Sequence, residues 1–489
     1  MPSNDFTGHP TVVDPCALGV KALGALYRAG SLSPVEATRS VLTRIEQLNP
    51  ELRAYLSVAE QSALASARAA ELQFEAGIDL GPMHGIPISV KDNIAVMGTR
   101  TTAASRVLFD APFDQEDAEV IRRLRAGGAV IVGKTNTHEF ALGAPDEEGP
   151  FGNVQNPRKL GHQAGSSSSG AAAAIAAGLG ALAVGTDTGG SVRHPAGLCG
   201  VVGIKPTHGL ISMRGVVPMS YQLDHVGLIG RSVADVAAGL TVAAGLDPLD
   251  PHSAAAPHDE YLAALGRDVR GLRLALPTND MYQFGSRQAR TVFDRAHATL
   301  GALGVERVAI ELPRAEELND IYLSVMGVDM LSYHETLNAP EDLYGRDMRK
   351  RMAVAREVSA TRYARALMAK DDIRRAWLGL FEQVDLLAVL SNVSGAPAHG
   401  VEMIEIEGAW HPARMVSSPF SRGFSTIGFP AIVIPIGEML DGLPIGIQLV
   451  GPPFSESRLF AVADALERAL GDLVGTWGID VRPRATGIG

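Results

Sequence analysis

Residues 182–193 read Leu-Ala-Val-Gly-Thr-Asp-Thr-Gly-Gly-Ser-Val-Arg. The apolar run Leu182 to Gly185 has the length of a buried strand, and the glycines that follow signal a sharp turn. Glycine lets the backbone bend tightly and lets a substrate approach closely. Successive N–H groups in such a turn can converge on an oxyanion. Ser191 then sits just beyond a strand end, where α/β proteins place their chemistry. The competing reading is a tight structural turn. Phosphate cradling is disfavoured, because Gly-x-x-x-x-Gly-Lys-Ser/Thr is absent.

Outward from this stretch, Ile86 to Val90 and Ala129 to Val132 are further short apolar runs bounded by turn residues. Between them Glu119 to Ala126 has helical spacing. Ser33-Pro34-Val35-Glu36 predicts a capped helix start, with Asn49-Pro50 as its end. Strands separated by helices predict an α/β fold with buried, largely parallel pairing. Leu246 to His258 is rich in Asp, Pro and Ala and reads as a connector between a catalytic core (80–235) and a variable helical portion (250–420). Strands are expected at Leu272 to Leu276, Val308 to Leu312 and Leu386 to Leu390. Asp441-Gly442 marks a hairpin between Ile432 to Ile436 and Ile445 to Val450, ahead of a last helix at Ser457 to Leu470.

The chain has 489 residues and a net charge of −11. Such an acidic chain is a poor non-specific binder of nucleic acid or anionic membrane, so no nucleic-acid partner and no membrane are expected. Cys16 and Cys199 lie far apart, as buried thiols of a reducing compartment would. The opening MPSNDFTGHP has no basic and apolar signal pattern, so a cytoplasmic location is expected. His84, His138, His162 and His194 lie near the interesting loops but without metal-ligand spacing. No metal and no cofactor are expected.

Two other segments carry chemistry-bearing side chains. Residues 165–174 read GSSSSGAAAA; an isolated Ser/Gly run is a linker, but this one leads into an Ala-rich segment whose helix the serines can cap. Lys91 follows the very apolar run Ile86 to Val90. A lone lysine there is a solvated charge or, if buried, a neutral amine able to act as general base. No Gly-x-Ser-x-Gly elbow is present, which leaves a serine–lysine system.

Together these segments resemble the amidase signature family. The similarity is carried by GIPISVKDNI (85–94), GKTNTHEFALGAP (133–145), the serine-rich loop (165–170), GTDTGGSVRHPAGLCGVVGIKPTHG (185–209), LDHVGLIGRSVAD (223–235) and residues 427–460, with 250–420 matching least. The resemblance implies one amidase domain over 1–489, built on a large mixed, mostly parallel sheet with helices on both faces. It implies a Ser-cisSer-Lys triad of Ser191, Ser167 and Lys91. Four serines in a row leave Ser166 and Ser168 as alternatives for the bridging position. The oxyanion would be held by the N–H groups of Thr188, Gly189, Gly190 and Ser191, with Asp187 and Arg193 holding the loops.

The family also implies hydrolysis of a C–N bond in a small amide, ester or carbamate, with aryl-carbamate urethanases among its members. A homodimer is a further expectation. Residues Gly400 to Phe420, with Met403, Ile404, Ile406, Trp410, Met415 and Phe420, read as an apolar lid or as core packing. A second reading is the glutaminase subunit of a tRNA-dependent amidotransferase. In that branch a carboxylate holds the glutamine amine, and the matching position here is near Ser418. Ser425-Thr426 also departs from the family's usual Asn-Leu/Thr. A non-catalytic binding protein on the same fold is the third reading.

Overall fold

The computed structural model describes residues 14–109, 113, 116–143, 150–255, 259–416, 418–439 and 441–471. The MPSNDFTGHP opening, the end of the 133–145 motif and the end of the connector lie outside the described residues. Fifteen strands occur among them: β1 (Tyr55–Val58), β2 (Pro87–Lys91), β3 (Val130–Thr135), β4 (Gln155–Asn156), β5 (Lys159–Gln163), β6 (Leu182–Thr186), β7 (Val202–Lys205), β8 (Val226–Gly230), β9 (Arg273–Pro277), β10 (Glu306–Ile310), β11 (Leu386–Leu390), β12 (Met403–Ile406), β13 (Ala409–Pro412), β14 (Ala431–Glu438) and β15 (Pro444–Val450).

Eleven of them form one mixed sheet in the order β1-β3-β2-β6-β8-β7-β14-β15-β11-β9-β10. The expected large mixed sheet is present, but parallel pairing is the minority. It joins β3-β2-β6 at one side and β11-β9-β10 at the other, and the six remaining pairings are antiparallel. The apolar runs read as parallel strands are apolar because both faces are covered; burial, not direction, sets that pattern.

Side chains alternate across the sheet. Leu182, Val184, Val226 and Leu228 enter one core cluster, packed by the helix Val233–Ala243. Ala183 and Ile229 enter another, packed by the helix Ser169–Ala176. That second helix is buried along its whole length. Its small residues let it seat on the sheet: a Cβ on Gly170 would collide with the Ala54 carbonyl oxygen.

The Ser33/Glu36 capping box forms as expected. The helix runs on through Pro50 to Leu52 and stops where Arg53 adopts a left-handed φ of 54°. A proline in the last turn removes a single i→i−4 bond, so a helix already packed by Val41, Ile45 and Leu48 tolerates it. The portion read as variable supplies β9, β10 and β11 to the same sheet and the helices Leu318–Leu337, Arg346–Arg356 and Ala360–Leu380. Among the described residues no helix is long and apolar enough to cross a membrane.

Candidate active site

Lys91 is the last residue of β2 and Thr186 the last of β6. These strands are parallel neighbours with Val90 opposite Val184, so both side chains emerge at one edge. Lys91 is fully buried. Its Nζ is hydrogen-bonded to Ser167 Oγ at 2.7 Å and to Thr186 Oγ1 at 2.8 Å. Burial pulls the amine down to about 7, although the Asp187 and Asp224 charges oppose the shift.

The Ser166–Ser167 peptide is cis. Of the four serines, Ser167 makes the contact with Lys91. Ser166 Oγ donates to the Gly143 carbonyl (3.1 Å) and Ser168 Oγ to the Thr186 carbonyl (3.1 Å). The Ser168 N–H donates to the Ser191 carbonyl (3.1 Å), which joins the serine-rich loop to the turn after β6.

Ser191 borders a cavity of about 770 Å³, together with Gly189 and Gly190. Gly190 has φ 120°, and a Cβ there would lie 2.5 Å from Ser421 Cβ, so this position requires glycine. The turn is held from behind. Asp187 accepts from the N–H groups of Gly190 (2.8 Å) and Val192 (3.1 Å), from Arg193 Nε and Nη2 (2.9 Å each) and from Ser425 Oγ (3.0 Å). Burial alone would push the Asp187 carboxyl up. The Arg193 charge and hydrogen bonds, with Lys205 and His225 farther out, hold it well below the usual carboxylate range.

The Gly190 N–H is thus committed to Asp187, which takes Gly190 out of the expected set of oxyanion donors. Gly189 and Ser191, like Gly190, border the cavity. Thr188 is itself anchored, its Oγ1 donating to Asp224 Oδ1 (2.5 Å). Burial raises the Asp224 carboxyl to about 6, against the hydrogen bonds from Thr188, Ser220 and Met219.

Arg193 spans the sheet. Its Nη1 donates to Gln448 Oε1 on β15 (2.7 Å) and its Nη2 to Ser425 Oγ (2.6 Å). The departure at Ser425 therefore sits in the structure that holds the turn. Lys134 and Asp92 form a second buried pair at 3.3 Å, beside Thr101 (2.9 Å to Lys134 Nζ) and Thr102 (2.5 Å to Asp92 Oδ2). This accounts for Asp92 and Lys134 in the two motifs without a catalytic role for either.

Sequence reasoning missed Thr186, Asp224, Ser425 and Gln448 as partners in this network. Gln448 carried a signal, being the one polar side chain in the run Pro444–Val450. His138 and His194 are pushed by burial to about 4 and are neutral at pH 7. His84 stacks on Phe74 at 4.1 Å. His162 makes an isolated bridge with Ala398. Among the described residues no group of His, Cys, Asp and Glu is placed to hold a metal ion.

The far wall of the cavity comes from residues 322–351 and 397–422. The expected apolar loop contains the hairpin β12/β13. Met403 borders the cavity, Ile406 and Phe420 are buried in the core, and Trp410 is 65% exposed. Among the described residues this wall mixes charged side chains with the expected apolar ones, Arg351 and Arg422 being the more enclosed of its cations.

The amidase family model matches residues 36–460. A glutamyl-tRNA(Gln) amidotransferase subunit from Geobacter metallireducens is 37% identical over 466 residues, 90% of this chain and 94% of that protein. A structure solved in work on a vestigial protein complex and the evolutionary origins of an s-triazine catabolic enzyme superposes with a TM-score of 0.88. It is 31% identical and is covered over 99% of its length and 93% of this chain. The 6-aminohexanoate cyclic dimer hydrolase complexed with substrate has a TM-score of 0.82 at 30% identity, covering 94% of this chain and 98% of that one. The expectation drawn from net charge, that nucleic acid has no place in this protein's chemistry, does not stand beside relatives named as subunits of a tRNA amidotransferase. Net charge averages over a surface and says nothing of a local patch or of a partner subunit that carries the RNA contact. With the family model spanning most of its length, this chain belongs to the amidase family.

Proposed function

We propose that this chain cleaves the C–N bond of a carboxamide through an acyl-enzyme on Ser191, acting in the cytoplasm as the glutamine-hydrolysing subunit of an amidotransferase. The carrying observation is the 2.7 Å contact between a fully buried Lys91 and Ser167, beside the glycine turn that presents Ser191. Neutral Lys91 takes a proton from Ser167, which takes one from Ser191 as Ser191 Oγ attacks the carbonyl carbon. The N–H groups of Thr188, Gly189 and Ser191 stabilise the developing oxyanion, and a donor of this kind contributes about 3–4 kcal/mol elsewhere. The protons return along the relay to the leaving nitrogen. Water then attacks the acyl-enzyme by the reverse path. Asp187 and Arg193 keep the turn in shape.

The relatives named as amidotransferase subunits support the glutamine reading. Ammonia release from glutamine, assayed for the chain alone and with its co-purifying partners and tRNA, tests it. No release under either condition would sink it.

One sequence observation favours a second reading, a free-standing hydrolase of small amides or carbamates. The stretch SSPFSRG around Ser418 has no carboxylate, and it is near there that the resemblance to the glutaminase branch implies the carboxylate that holds the glutamine amine. Turnover of p-nitroanilides, aryl esters or aryl carbamates by the lone chain, with none of glutamine, would select this reading.

A further inference from the structure

Three donors converge on the buried carboxylate of Asp224. Thr188 Oγ1 donates to Oδ1 (2.5 Å), and the N–H groups of Met219 and Ser220 donate to Oδ2 (2.8 and 3.0 Å). An ionised carboxylate accepts at every one of these contacts, whereas a protonated carboxyl turns one oxygen into a donor. Thr188 is the residue that leads into Gly189 and Gly190, so Asp224 grips the glycine turn at the end opposite Asp187.

The loop that holds Asp224 is tied outward in turn. Ser220 Oγ and the Gln222 N–H donate to Asp329 Oδ2 (2.6 and 3.2 Å), and Tyr363 Oη donates to Asp329 Oδ1 (2.7 Å). Asp329 belongs to the helix Leu318–Leu337 and Tyr363 to the helix Ala360–Leu380. One and two turns before Asp329, the first of these helices places Met326 and Tyr322 on the cavity that holds Ser191. A Cβ on Gly189 would lie 2.6 Å from Tyr322 Oη. The glycine turn and this cavity wall are therefore joined twice, by direct contact at Gly189 and through Asp224 and Asp329.

The charged groups that act on Asp224 or feel its charge are Asp329 and, at the end of β2, Lys91. Tyr322 also feels it, and the next residue, His225, is kept neutral by burial. Asp187, the other carboxylate that acts on Lys91, is bound by Arg193.

We propose that Asp224 and Asp329 are positioning residues. Asp224, as a carboxylate, fixes the Thr188 end of the glycine turn to the 219–224 loop, and Asp329 fixes that loop to the wall carrying Tyr322 and Met326. The N–H donors of the turn and the wall against which the substrate lies thus keep one spacing. The inference rests on the reading of Ser191 as nucleophile and adds to it what holds the oxyanion donors in register.

The test follows kcat and KM with glutamine and with a p-nitroanilide, and the rate at which a fluorophosphonate labels Ser191. Thr188→Val removes the hydroxyl at nearly constant shape. It should lower kcat and the labelling rate about tenfold or more while KM changes by no more than about threefold, and Thr188→Ser should restore most of the loss. Asp224→Asn should lower kcat similarly. Because it deletes a negative charge that favours protonated Lys91, it should also move the acid limb of the pH profile down by about half a unit or more. Wild-type rates in Thr188→Val, or an unmoved acid limb in Asp224→Asn, would overturn the role of Asp224. Asp329→Asn should give a smaller fall in kcat, and unchanged kcat would remove the outer link. If wild-type Ser191 is neither labelled nor active, the nucleophile reading fails, and crystal structures of the wild type and Thr188→Val decide the anchoring by themselves. Displacement of residues 188–191 by more than about 0.5 Å, the tolerance of a productive geometry, supports it, and superposition within that distance overturns it.

Discussion

The strands β2, β6, β7 and β8 and the strands β9 and β10 belong to one sheet but treat charge in opposite ways. The first group buries its ionic residues completely: Lys91, Lys205, Asp187 and Arg193 are at most 1% exposed, each tied to fixed partners. The second group ends in the edge strand β10, whose residues are exposed or half-buried. The later helix Arg346–Arg356, packed on Leu318–Leu337, carries Arg346 and Lys350, both exposed, at the cavity. Buried charge is costly unless paired and hydrogen-bonded, so the first group tolerates little change. Charge at a solvated mouth is cheap to alter, so recognition can vary there while the reacting centre stays the same.

The largest effect should come from Ser191→Ala. We expect kcat to fall by about 10⁴-fold or more with an unchanged circular dichroism spectrum. Retained activity would remove the distinction between a reacting half and a recognising half.

The pH dependence sharpens it next. Lys91 is pulled to about 7 and must be neutral to take a proton, so kcat/KM should fall about tenfold per pH unit below about 7. An acid limb near pH 4 would instead point to a carboxylate base. The same depressed value has a consequence for stability. The unfolded amine binds its proton at about 10.4, so stability should decline as pH drops from there to about 7 and be insensitive to Lys91 below that.

Asp187→Asn should cost about 3–5 kcal/mol in chemical denaturation, because it leaves Arg193 buried without its counter-charge. A loss under about 1 kcal/mol would mean that Gln448 and Ser425 satisfy the guanidinium alone. The smallest effect belongs to the solvated side. Trp410→Ala should change stability by no more than about 0.5 kcal/mol, since the side chain is 65% exposed. A larger loss in thermal melting would place Trp410 in packing that the contrast denies it.

Much of the reacting half was legible from local pattern. A strand-length apolar run closed by Gly189 and Gly190 makes a turn wherever it occurs, because only glycine accepts the φ of 120° found at Gly190. The capping box at Ser33 and Glu36 is likewise a four-residue signal that needs no distant partner. The resemblance of several motifs sufficed to name Lys91, Ser167 and Ser191. Strand direction was not legible, since helices on both faces make parallel and antiparallel strands equally apolar. The partners of the buried charges were out of reach for a different reason. Arg193 meets Gln448 across 255 positions and Ser425 across 232, and the choice of partner is made by which strands become neighbours. The charged character of the cavity also depended on folding, because Arg351 and Arg422 come to line one cavity only once their helices pack on Leu318–Leu337. Sequence alone determined many of the elements and the candidate reactive groups, since these follow from short-range sterics and side-chain chemistry; tertiary structure decided which hydroxyl reaches Lys91, which N–H Asp187 holds and which charges line the cavity, since each of these is a distance between residues far apart in the chain.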